Sequence, residues 1–538
     1  MTFFPAPHRP PEPRLRTARG TRSAVPSPST LGLTSTHAAS DLEKLGWDNQ
    51  ESLGLLYLLA NVGDPELALN TLYRLNENLK PGSDEATAFL DAMRNNEVVR
   101  SRALALVGGS AALGDHLVAN PHLWRSFADP IPHREEMMAA MLSSVEAEPI
   151  AKPETEESEA PETSDSAEGN EPGKNEAGAP DSRSSSRPSS QSGEGSAREG
   201  SVDPRISHAG MYRAGITGTA AYTQLKMTYR TLLMRIAASD LASTIPSGVF
   251  QQSQPDGDGR RGSARAGNSA THGGEDGSGG AASASPDDKR AMAHPMGFVE
   301  VSAALSDLAD AALTAALAVA VATVYPDNNA VDARLAVIAM GKCGARELNY
   351  ISDVDVIFVG ETADAKTTRV ASEFIKVGSR CFFEVDAALR PEGKSGALVR
   401  TLESHLSYYD RWADTWEFQA QLKARPMTGA MDLGKAYVQA IQPHVWQASQ
   451  RDSFVDDTQH MRGRVIENIP KEQQARELKL GVGGLRDVEF AVQMLQMVHG
   501  RIDADLRVRS TISALQALIR GGYVGREDGR WVATHRLL

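Results

Sequence analysis

Two apolar runs joined by a glycine-containing turn constrain the fold of this 538-residue chain more than any other feature. The runs ARLAVIAM (333–340) and SDVDVIFV (352–359) are rich in branched residues, which is typical of buried strands. The second run carries Asp353 and Asp355, and strand alternation places both on one face together with Ile357. The apolar residues between them face the core. We therefore expect a sheet that presents two neighbouring carboxylates.

The paired aspartates indicate a cation site. Unpaired carboxylates this close repel each other, and burying them is costly, whereas a divalent cation between them removes the repulsion. Mg²⁺ accepts a few protein oxygens together with water and phosphate. Two solvated aspartates at the edge of a sheet are the alternative that this motif alone leaves open.

A third apolar run, RCFFEVDAALRP (380–391), favours the cation site. We predict that it is a strand in which Asp386 shares a face with Glu384. Three acids from two adjacent strands are able to hold two metal ions. Such sites stabilise both the attacking and the leaving oxygen in a displacement at phosphorus.

The turn GKCGAREL (341–348) has the composition of a phosphate-binding loop. Gly341 and Gly344 let backbone amides approach a phosphate closely, and Lys342 and Arg346 supply positive charge. The turn is not a P-loop, because the pattern GxxxxGK(S/T) is absent, and it does not match GxGxxG.

Composition divides the rest of the chain. Two long segments and the N-terminus are rich in Gly, Ser, Pro or charge and nearly lack large apolar residues, so they cannot bury enough surface to offset chain entropy. Elsewhere apolar residues recur with helical spacing. The predicted segments are a disordered tail (1–39), a helical region (40–145), a disordered insertion (146–205), a helical island (206–250), a second disordered insertion (251–292), a strand-containing core (293–430) and a C-terminal helical domain (431–538).

Charge and cysteine content exclude several classes of function. A net charge of −13 disfavours a general nucleic-acid binder and an anionic membrane surface. With only two cysteines, no disulfide framework is expected, and a reducing cytoplasm is the simplest location. The longest apolar run, 311–324, is too short to span a bilayer and is predicted as a buried helix.

Several motifs together resemble known proteins. A glycine turn, a DxD strand and a later acid on a neighbouring strand resemble the nucleotidyltransferase fold of the DNA polymerase β type. That resemblance implies an α+β protein with a mixed sheet embedded in helices and a helical domain after it. MGKCGARELNYISDVDVIF, EVDAALRPEGKSGALV, WEFQAQLKARPMTG and KLGVGGLRDVEFAVQMLQ resemble one family in particular, the bifunctional glutamine synthetase adenylyltransferase/adenylyl-removing enzymes. LVGGSAALGDHLVANPHLW in the N-terminal helices resembles the same family.

Two of these motifs resemble the N-terminal, adenylyl-removing half of that family. They are ELNYISDVDV, with Asn349, and GGLRDVEF, with Arg486. The chain ends at WVATHRLL within a helical pattern that has no cap or glycine stop. This ending predicts a C-terminally truncated chain that lacks the transferase half.

The resemblance implies a reaction and a set of residues. The reaction is Mg²⁺-dependent phosphorolysis of the AMP–tyrosine bond on glutamine synthetase, which releases ADP. Asp353, Asp355 and Asp386 would be the catalytic metal ligands. The implied substrate and phosphate contacts are Gly341, Lys342, Gly344, Arg346, Ser352, Arg390, Lys423, Arg425 and Glu489.

Some of these assignments leave alternatives. Lys423 and Arg425 fit a structural basic pair equally well, and Arg390 fixes the turn after the third strand or reaches phosphate. Glu489 is a supporting acid or a helix-pairing residue, and the role of Asp487 is open. Many relatives read VDxRLRP where this chain has Ala388, so one phosphate contact is lost or relocated.

Three other functions compete with phosphorolysis. The same acids serve AMP transfer from ATP, because catalysis is reversible. A silent module that docks glutamine synthetase or a PII-type signal protein is disfavoured by the intact acids. A polymerase-like enzyme is disfavoured by the acidic charge. The expected ligands are ADP or ATP and phosphate, without nucleic acid or membrane.

Overall fold

The computed structural model describes residues 25–150, 210–243, 297–327, 331–474 and 476–529. The predicted insertion 251–292 and most of the other predicted disordered segments lie outside these residues. The C-terminal WVATHRLL, on which the predicted truncation rests, also lies outside them.

The N-terminal region is helical, as its periodicity predicts. Its α-helices are α1 (Ala38–Lys44), α2 (Leu53–Leu59), α3 (Pro65–Leu79), α4 (Asp84–Asn95), α5 (Glu97–Gly109), α6 (Ala111–Ala119) and α7 (Arg134–Ser143). Polar side chains that accept a backbone N–H begin several of them, as Asp64 does for α3 and Ser110 for α6. α5 ends at Gly109, and Ser110 separates it from α6.

The predicted tail 1–39 is wrong at its C-terminal end. Residues 28–31 form a 3-10 turn, and Leu31 and Leu33 are buried against the N-terminal helices. The composition of the whole tail, rich in Pro and Arg, hides this apolar pair.

The predicted start of the first insertion, residue 146, is also too early. Strand β1 (Glu148–Pro149) pairs antiparallel with β2 (Tyr212–Arg213). Two residues with no apolar alternation give no strand signal in the sequence, although the backbone hydrogen bonds of the ladder extend the ordered region.

Two long helices connect the N-terminal region to the sheet. α8 (Gly218–Ala242) lies in the predicted helical island and packs against α5, α7 and α9 (Phe298–Val324). Among the described residues, α9 is the one helix long and apolar enough to span a membrane, yet 83% of its apolar 18-residue stretch is buried inside the protein. The predicted buried helix at 311–324 is therefore confirmed.

A small mixed sheet forms the centre of the fold. Its strands are β3 (Leu335–Ala339), β4 (Val354–Gly360), β5 (Val385–Asp386), β6 (Val399–Thr401) and β7 (Arg425–Gly429). β3 lies between β4 and β7 and is antiparallel to both. The other edge of β4 pairs in parallel with β5 near its start and with β6 near its end. A mixed sheet within a helical protein matches the predicted α+β class.

The third strand is much shorter than predicted. After β3 the chain forms a five-residue helix, α10 (Gly341–Ala345), then β4, then helix α11 (Ala365–Cys381). The last residues of α11 belong to the run 380–391. Only Val385–Asp386 is extended, and Glu384 is exposed outside the strand. The start of the run is the end of a helix, so its apolar composition wrongly predicted a strand there.

Strand β7 was not predicted because Arg425, Pro426 and Gly429 suggest a loop. It lies at the edge of the sheet, where a proline without an N–H is tolerated, and the register shifts between Val337 and Ile338 opposite it. The prediction that Ile357 shares an open face with the aspartates is also wrong. Ile357 is fully buried, because helices cover the sheet beyond Asp355.

The remaining helices follow the sheet. They are α12 (Leu402–Arg411), α13 (Thr415–Gln421), α14 (Met431–Gln447), α15 (Phe454–Glu467), α16 (Leu485–His499) and α17 (Thr511–Arg520). α16 and α17 pack on each other around a small apolar cluster that includes Val492, Leu515 and Leu518. This C-terminal helical group lies over the aspartate end of the sheet and completes the candidate site.

Candidate active site

The sheet brings the predicted acids together. Asp355 of β4 pairs with Asp386 of β5 in parallel register, so their side chains leave the same face about 5 Å apart. Asp353 precedes β4 by one residue and is exposed, whereas Asp355 is half-buried. One oxygen of Asp386 accepts the backbone N–H of Ala388 at 2.7 Å, which fixes the carboxylate at the end of its short strand.

The crowding of these acids changes their acidity. Burial, followed by the charges of Asp353 and Asp386, raises the pKa of Asp355 to about 6. Arg486 and Lys479 oppose this rise. A carboxyl group that titrates this close to neutrality is typical of functional sites, and it favours a cation in its vicinity.

Gly341 is required by the approach of Asp355. Its φ angle is +51°, and a Cβ at this position would lie 2.5 Å from Oδ2 of Asp355. Gly344 is required by packing rather than by a ligand, since its Cβ would lie 2.7 Å from the carbonyl oxygen of Ala339 and still closer to that of Lys423. The two predicted glycines thus have different roles.

A pocket of about 600 Å³ opens beside Asp353 and Asp355, which line it, whereas Asp386 is not among its lining residues. It lies between the start of β4, the turn at Gly341 and helices α13, α15 and α16. One wall is apolar and includes Leu389, Trp416 and Phe490, and the rest carries both acidic and basic side chains. The volume suits a small phosphate-containing ligand with an apolar moiety.

The chain matches known proteins along most of its length. The family model described as "Glutamate-ammonia ligase adenylyltransferase" matches residues 290–440, and the model described as "GlnD PII-uridylyltransferase" matches residues 459–536. A bifunctional glutamine synthetase adenylyltransferase/adenylyl-removing enzyme of Corynebacterium efficiens is 51% identical over 94% of this chain and 41% of its own length. The enzymes of that name from Corynebacterium glutamicum and Mycobacterium bovis are 50% and 40% identical over 94% of this chain.

The chain belongs to this adenylyltransferase/adenylyl-removing family. It spans about two fifths of the length of the curated relatives it matches, 41% and 40% in the Corynebacterium glutamicum and Mycobacterium bovis enzymes. The family resemblance read from four sequence motifs is therefore confirmed.

The adenylyltransferase family implies a divalent metal, and the donor set fits one in kind. Asp353, Asp355 and Asp386 would supply oxygen ligands, and a cation would offset both the burial of Asp355 and the charges of the other two acids, which together raise its pKa. Among the described residues, no three His, Cys, Asp or Glu side chains already form a ready cluster. Further ligands would therefore come from water and from the phosphate of the substrate.

Three predicted phosphate-binding arginines are not brought to the pocket. Arg346 forms a two-pronged ion pair with Asp307, at 2.7 and 2.8 Å. Arg425 forms another with the fully buried Asp310, at 2.7 and 2.8 Å. Both acids belong to α9, so these arginines fasten the core helix to the turn and to β7, and charge complementarity explains their placement.

Arg390, the third of these arginines, holds the turn that follows β5. It donates hydrogen bonds to the carbonyl oxygens of Gly396, Ala387 and Lys394 at 3.1, 2.8 and 2.9 Å. It does not line the pocket. The structure therefore favours the turn-fixing alternative for Arg390 and the structural alternative for Arg425.

The predicted Lys423 and Glu489 do line the pocket, and they bind each other. Lys423 is almost completely buried, and its ammonium also lies 3.7 Å from Oε2 of Glu347. Glu347 accepts the backbone N–H of Thr511 at 2.8 Å and the hydroxyl of Ser510 at 3.0 Å. A buried line of charges thus joins the sheet to α16 and to the start of α17, and the motif gave no signal for Glu347.

The remaining predicted residues lie at the mouth of the pocket. Lys342 and Ser352 line it, and Nζ of Lys342 donates to Oδ1 of Asn349 at 3.3 Å. Lys479 and Arg486 line the wall formed by the loop before α16. Lys479 was not predicted, because one lysine in a glycine-rich loop has no distinguishing pattern.

Proposed function

We propose that this chain removes AMP from the adenylylated tyrosine of glutamine synthetase by phosphorolysis, in the cytoplasm and with Mg²⁺. The observation that carries the proposal is the pocket that Asp353 and Asp355 share with basic side chains, with Asp386 paired to Asp355 in parallel register beside it. That combination provides for a metal-dependent displacement at phosphorus. Membership in a family with adenylyl-removing enzymes supplies the substrate.

The reaction balances without an additional reactant. An oxygen of hydrogen phosphate attacks the phosphorus of the AMP–tyrosine diester, and the bond from phosphorus to the tyrosine oxygen breaks. The leaving phenolate takes the proton that the attacking phosphate carried, so the products are ADP and free tyrosine. Bound Mg²⁺ would supply charge stabilisation for the phosphoryl oxygens.

The chain's own side chains do the rest. Asp353, Asp355 and Asp386 hold the cation on the sheet side, and Gly341 leaves room for the Asp355 carboxylate. The apolar wall at Trp416 and Phe490 receives the nucleoside and excludes water from one side of the pocket. Ordering these groups before the substrate arrives lowers the barrier to in-line attack.

Removal of AMP is favoured over its addition by two residues of the site. Asn349 and Arg486 are the positions that resemble the adenylyl-removing half of the family, and both line this pocket. The acids alone serve either direction. Resemblance of residues 459–536 to a PII-uridylyltransferase model supports a PII-type signal protein as a partner of the C-terminal helices.

The test is ADP formation from adenylylated glutamine synthetase. The chain is incubated with Mg²⁺ and phosphate, and ADP is followed by chromatography for the wild type, Asp355→Asn and Asp452→Asn. Asp452 is exposed and lies outside the pocket, so its variant controls for loss of one negative charge. We expect phosphate-dependent ADP from the wild type and Asp452→Asn only. AMP incorporation from ATP into unmodified synthetase, without ADP release, would contradict the assigned direction.

A further inference from the structure

The loop between residues 478 and 486 places two basic side chains next to each other. The N–H of Leu485 donates to the carbonyl oxygen of Leu478 at 3.0 Å, and the N–H of Arg486 donates to that of Lys479 at 2.9 Å. The chain therefore turns back on itself so that Lys479 and Arg486 are neighbours. The turn requires glycine at position 484, where a Cβ would lie 2.6 Å from the Leu478 carbonyl oxygen.

The partly exposed Asp487 fixes this loop. Oδ2 of Asp487 accepts the N–H of Gly483 at 2.6 Å, and Oδ1 accepts a hydrogen bond from Arg462. Arg462 also donates to the carbonyl oxygen of Gly481 at 2.9 Å. The hydrogen bond from Arg462 is the main reason why the pKa of Asp487 lies below its usual value, so this anchor is charged at neutral pH. Asp487 is thus a positioning residue for the loop.

The two basic side chains share the pocket with the aspartates. Lys479 and Arg486 both line it, as do Asp353 and Asp355.

These two side chains are held less tightly than Lys423. Arg486 is half-buried; it forms an ion pair with Glu489 at 3.6 Å, beyond hydrogen-bond distance, and its guanidinium lies 5.8 Å from the centre of the Phe490 ring. Within the described ranges no hydrogen bond or ion pair of the exposed Lys479 ammonium is seen. Lys423, by contrast, is buried against Glu489 and Glu347.

We propose that Lys479 and Arg486 form the subsite that binds a phosphoryl oxyanion opposite the aspartates. This proposal rests on the proposed phosphorolysis, for which it names the phosphate-binding groups. The planar guanidinium of Arg486 matches two phosphoryl oxygens, and Lys479 adds a point charge. The subsite takes over the role expected of Arg346, Arg390 and Arg425, whose guanidinium groups hold the fold.

A phosphoryl oxyanion has two sources in the proposed reaction, the attacking inorganic phosphate and the phosphate of AMP. Lys479 lies in the loop before α16 and Arg486 in the first turn of α16, and both line the pocket together with Asp353 and Asp355. Attack in line requires the incoming phosphate to stand on the side away from the leaving group. Separate binding measurements with inorganic phosphate and with AMP distinguish which of the two ligands the basic residues bind.

The test measures binding of inorganic phosphate and of AMP, each alone with Mg²⁺, to the 538-residue chain by isothermal titration calorimetry at constant ionic strength. The variants are Arg486→Gln, Lys479→Gln and Arg486→Lys. Lys471→Gln is the matched control, because Lys471 is an exposed lysine of the same segment that does not line the pocket. Unchanged thermal unfolding shows that each variant is folded.

We expect the wild type and Lys471→Gln to bind phosphate equally, and each Gln variant of the subsite to lose about tenfold or more in affinity. Arg486→Lys should recover part of the loss. A loss confined to AMP assigns the subsite to the nucleotide phosphate. The proposal is overturned if Arg486→Gln and Lys471→Gln bind both phosphate and AMP with equal affinity, or if the wild type binds neither ligand.

The ADP assay separates this proposal from the function on which it rests. ADP release by the wild type, together with unchanged affinity for both phosphate and AMP and an unchanged KM for phosphate in both Gln variants, removes the subsite alone. Phosphate binding that depends on Lys479 and Arg486 without ADP release removes the proposed reaction alone.

Discussion

Asp355 and Asp386 lie side by side on parallel strands, the first in β4 and the second in the two-residue strand β5. Because the strands are parallel, the pairing joins the start of β4 to the end of β5. Burial of Asp355, followed by the charges of Asp353 and Asp386, raises the pKa of Asp355 to about 6. Most of the expected behaviour of the molecule follows from this relationship.

Stability should depend on pH through Asp355. Its pKa in the folded state is about 6, above the ordinary value of 3.8 for an aspartate, so between these pH values the folded state binds more protons than the unfolded state and stability falls as pH rises. Asp355→Asn removes this loss of stability, because asparagine does not ionise. In EDTA the variant should melt at a higher temperature than the wild type at pH 7.5, and the difference should vanish near pH 4.

Thermal unfolding in EDTA at several pH values measures this difference, with Asp452→Asn as the control for charge. Added Mg²⁺ should then raise the melting temperature of the wild type but not that of Asp355→Asn, because a bound ligand stabilises the folded state. A difference between wild type and Asp355→Asn that is the same at pH 4 and pH 7.5 would contradict the pKa assignment.

Replacement of Gly341 by alanine should damage the site more than the fold. The new Cβ would lie 2.5 Å from Oδ2 of Asp355 and must displace that carboxylate. Gly82→Ala is the matched control, since Gly82 also has a positive φ, +84°, but no atom within 4 Å of the added Cβ. Both variants should lose about 1 kcal/mol of stability from backbone strain. Only Gly341→Ala should lose ADP formation and stabilisation by Mg²⁺, and equal losses in both would refute the steric argument.

Removal of Arg425 should destabilise the core without a specific effect on phosphate. Asp310 is fully buried and would lose one of its two arginine partners, keeping Arg134 at 2.9 Å. Breaking a buried pair in this way costs roughly 3 kcal/mol. Urea unfolding of Arg425→Gln, Asp310→Asn and the double variant should show that the two losses are not additive. A stable Arg425→Gln protein with weakened phosphate binding would instead restore the phosphate-binding role predicted from the sequence.

Glu347 should hold helix α17 in place. It accepts hydrogen bonds from the N–H and the hydroxyl of Thr511 and from Ser510, at 2.8 to 3.1 Å. Glu347→Ala leaves these donors without their acceptor, and we expect a loss of about 2 kcal/mol. Hydrogen exchange should accelerate in residues 511–520. Glu403→Ala, at an exposed position in the first turn of α12, serves as the control and should leave that exchange unchanged.

The acids could be found from the sequence because strand alternation is a local rule. Asp353 and Asp355 lie two residues apart, and Asp386 follows an apolar run, so a short window contains the signal. The same rule failed for Ile357, because burial of both faces beyond Asp355 depends on helices far away in the chain.

The basic residues could not be sorted in this way. Arg346 and Arg425 lie within motifs, yet their partners Asp307 and Asp310 lie 39 and 115 residues earlier in the chain, on the core helix α9. Which arginine binds a ligand and which binds a buried acid is decided by tertiary packing. The roles of Lys479 and Glu347 depend on the C-terminal helices, which close the pocket and carry the groups that Glu347 binds.

The most direct measurement of the central claim follows the fate of labelled phosphate. Adenylylated glutamine synthetase is incubated with this chain, Mg²⁺ and [³²P]phosphate, and the nucleotides are separated. The account predicts label in the β-phosphate of ADP, with loss of the signal in Asp355→Asn and not in Asp452→Asn. Release of unlabelled AMP, or label in ADP that persists in Asp355→Asn, would contradict phosphorolysis at the paired aspartates.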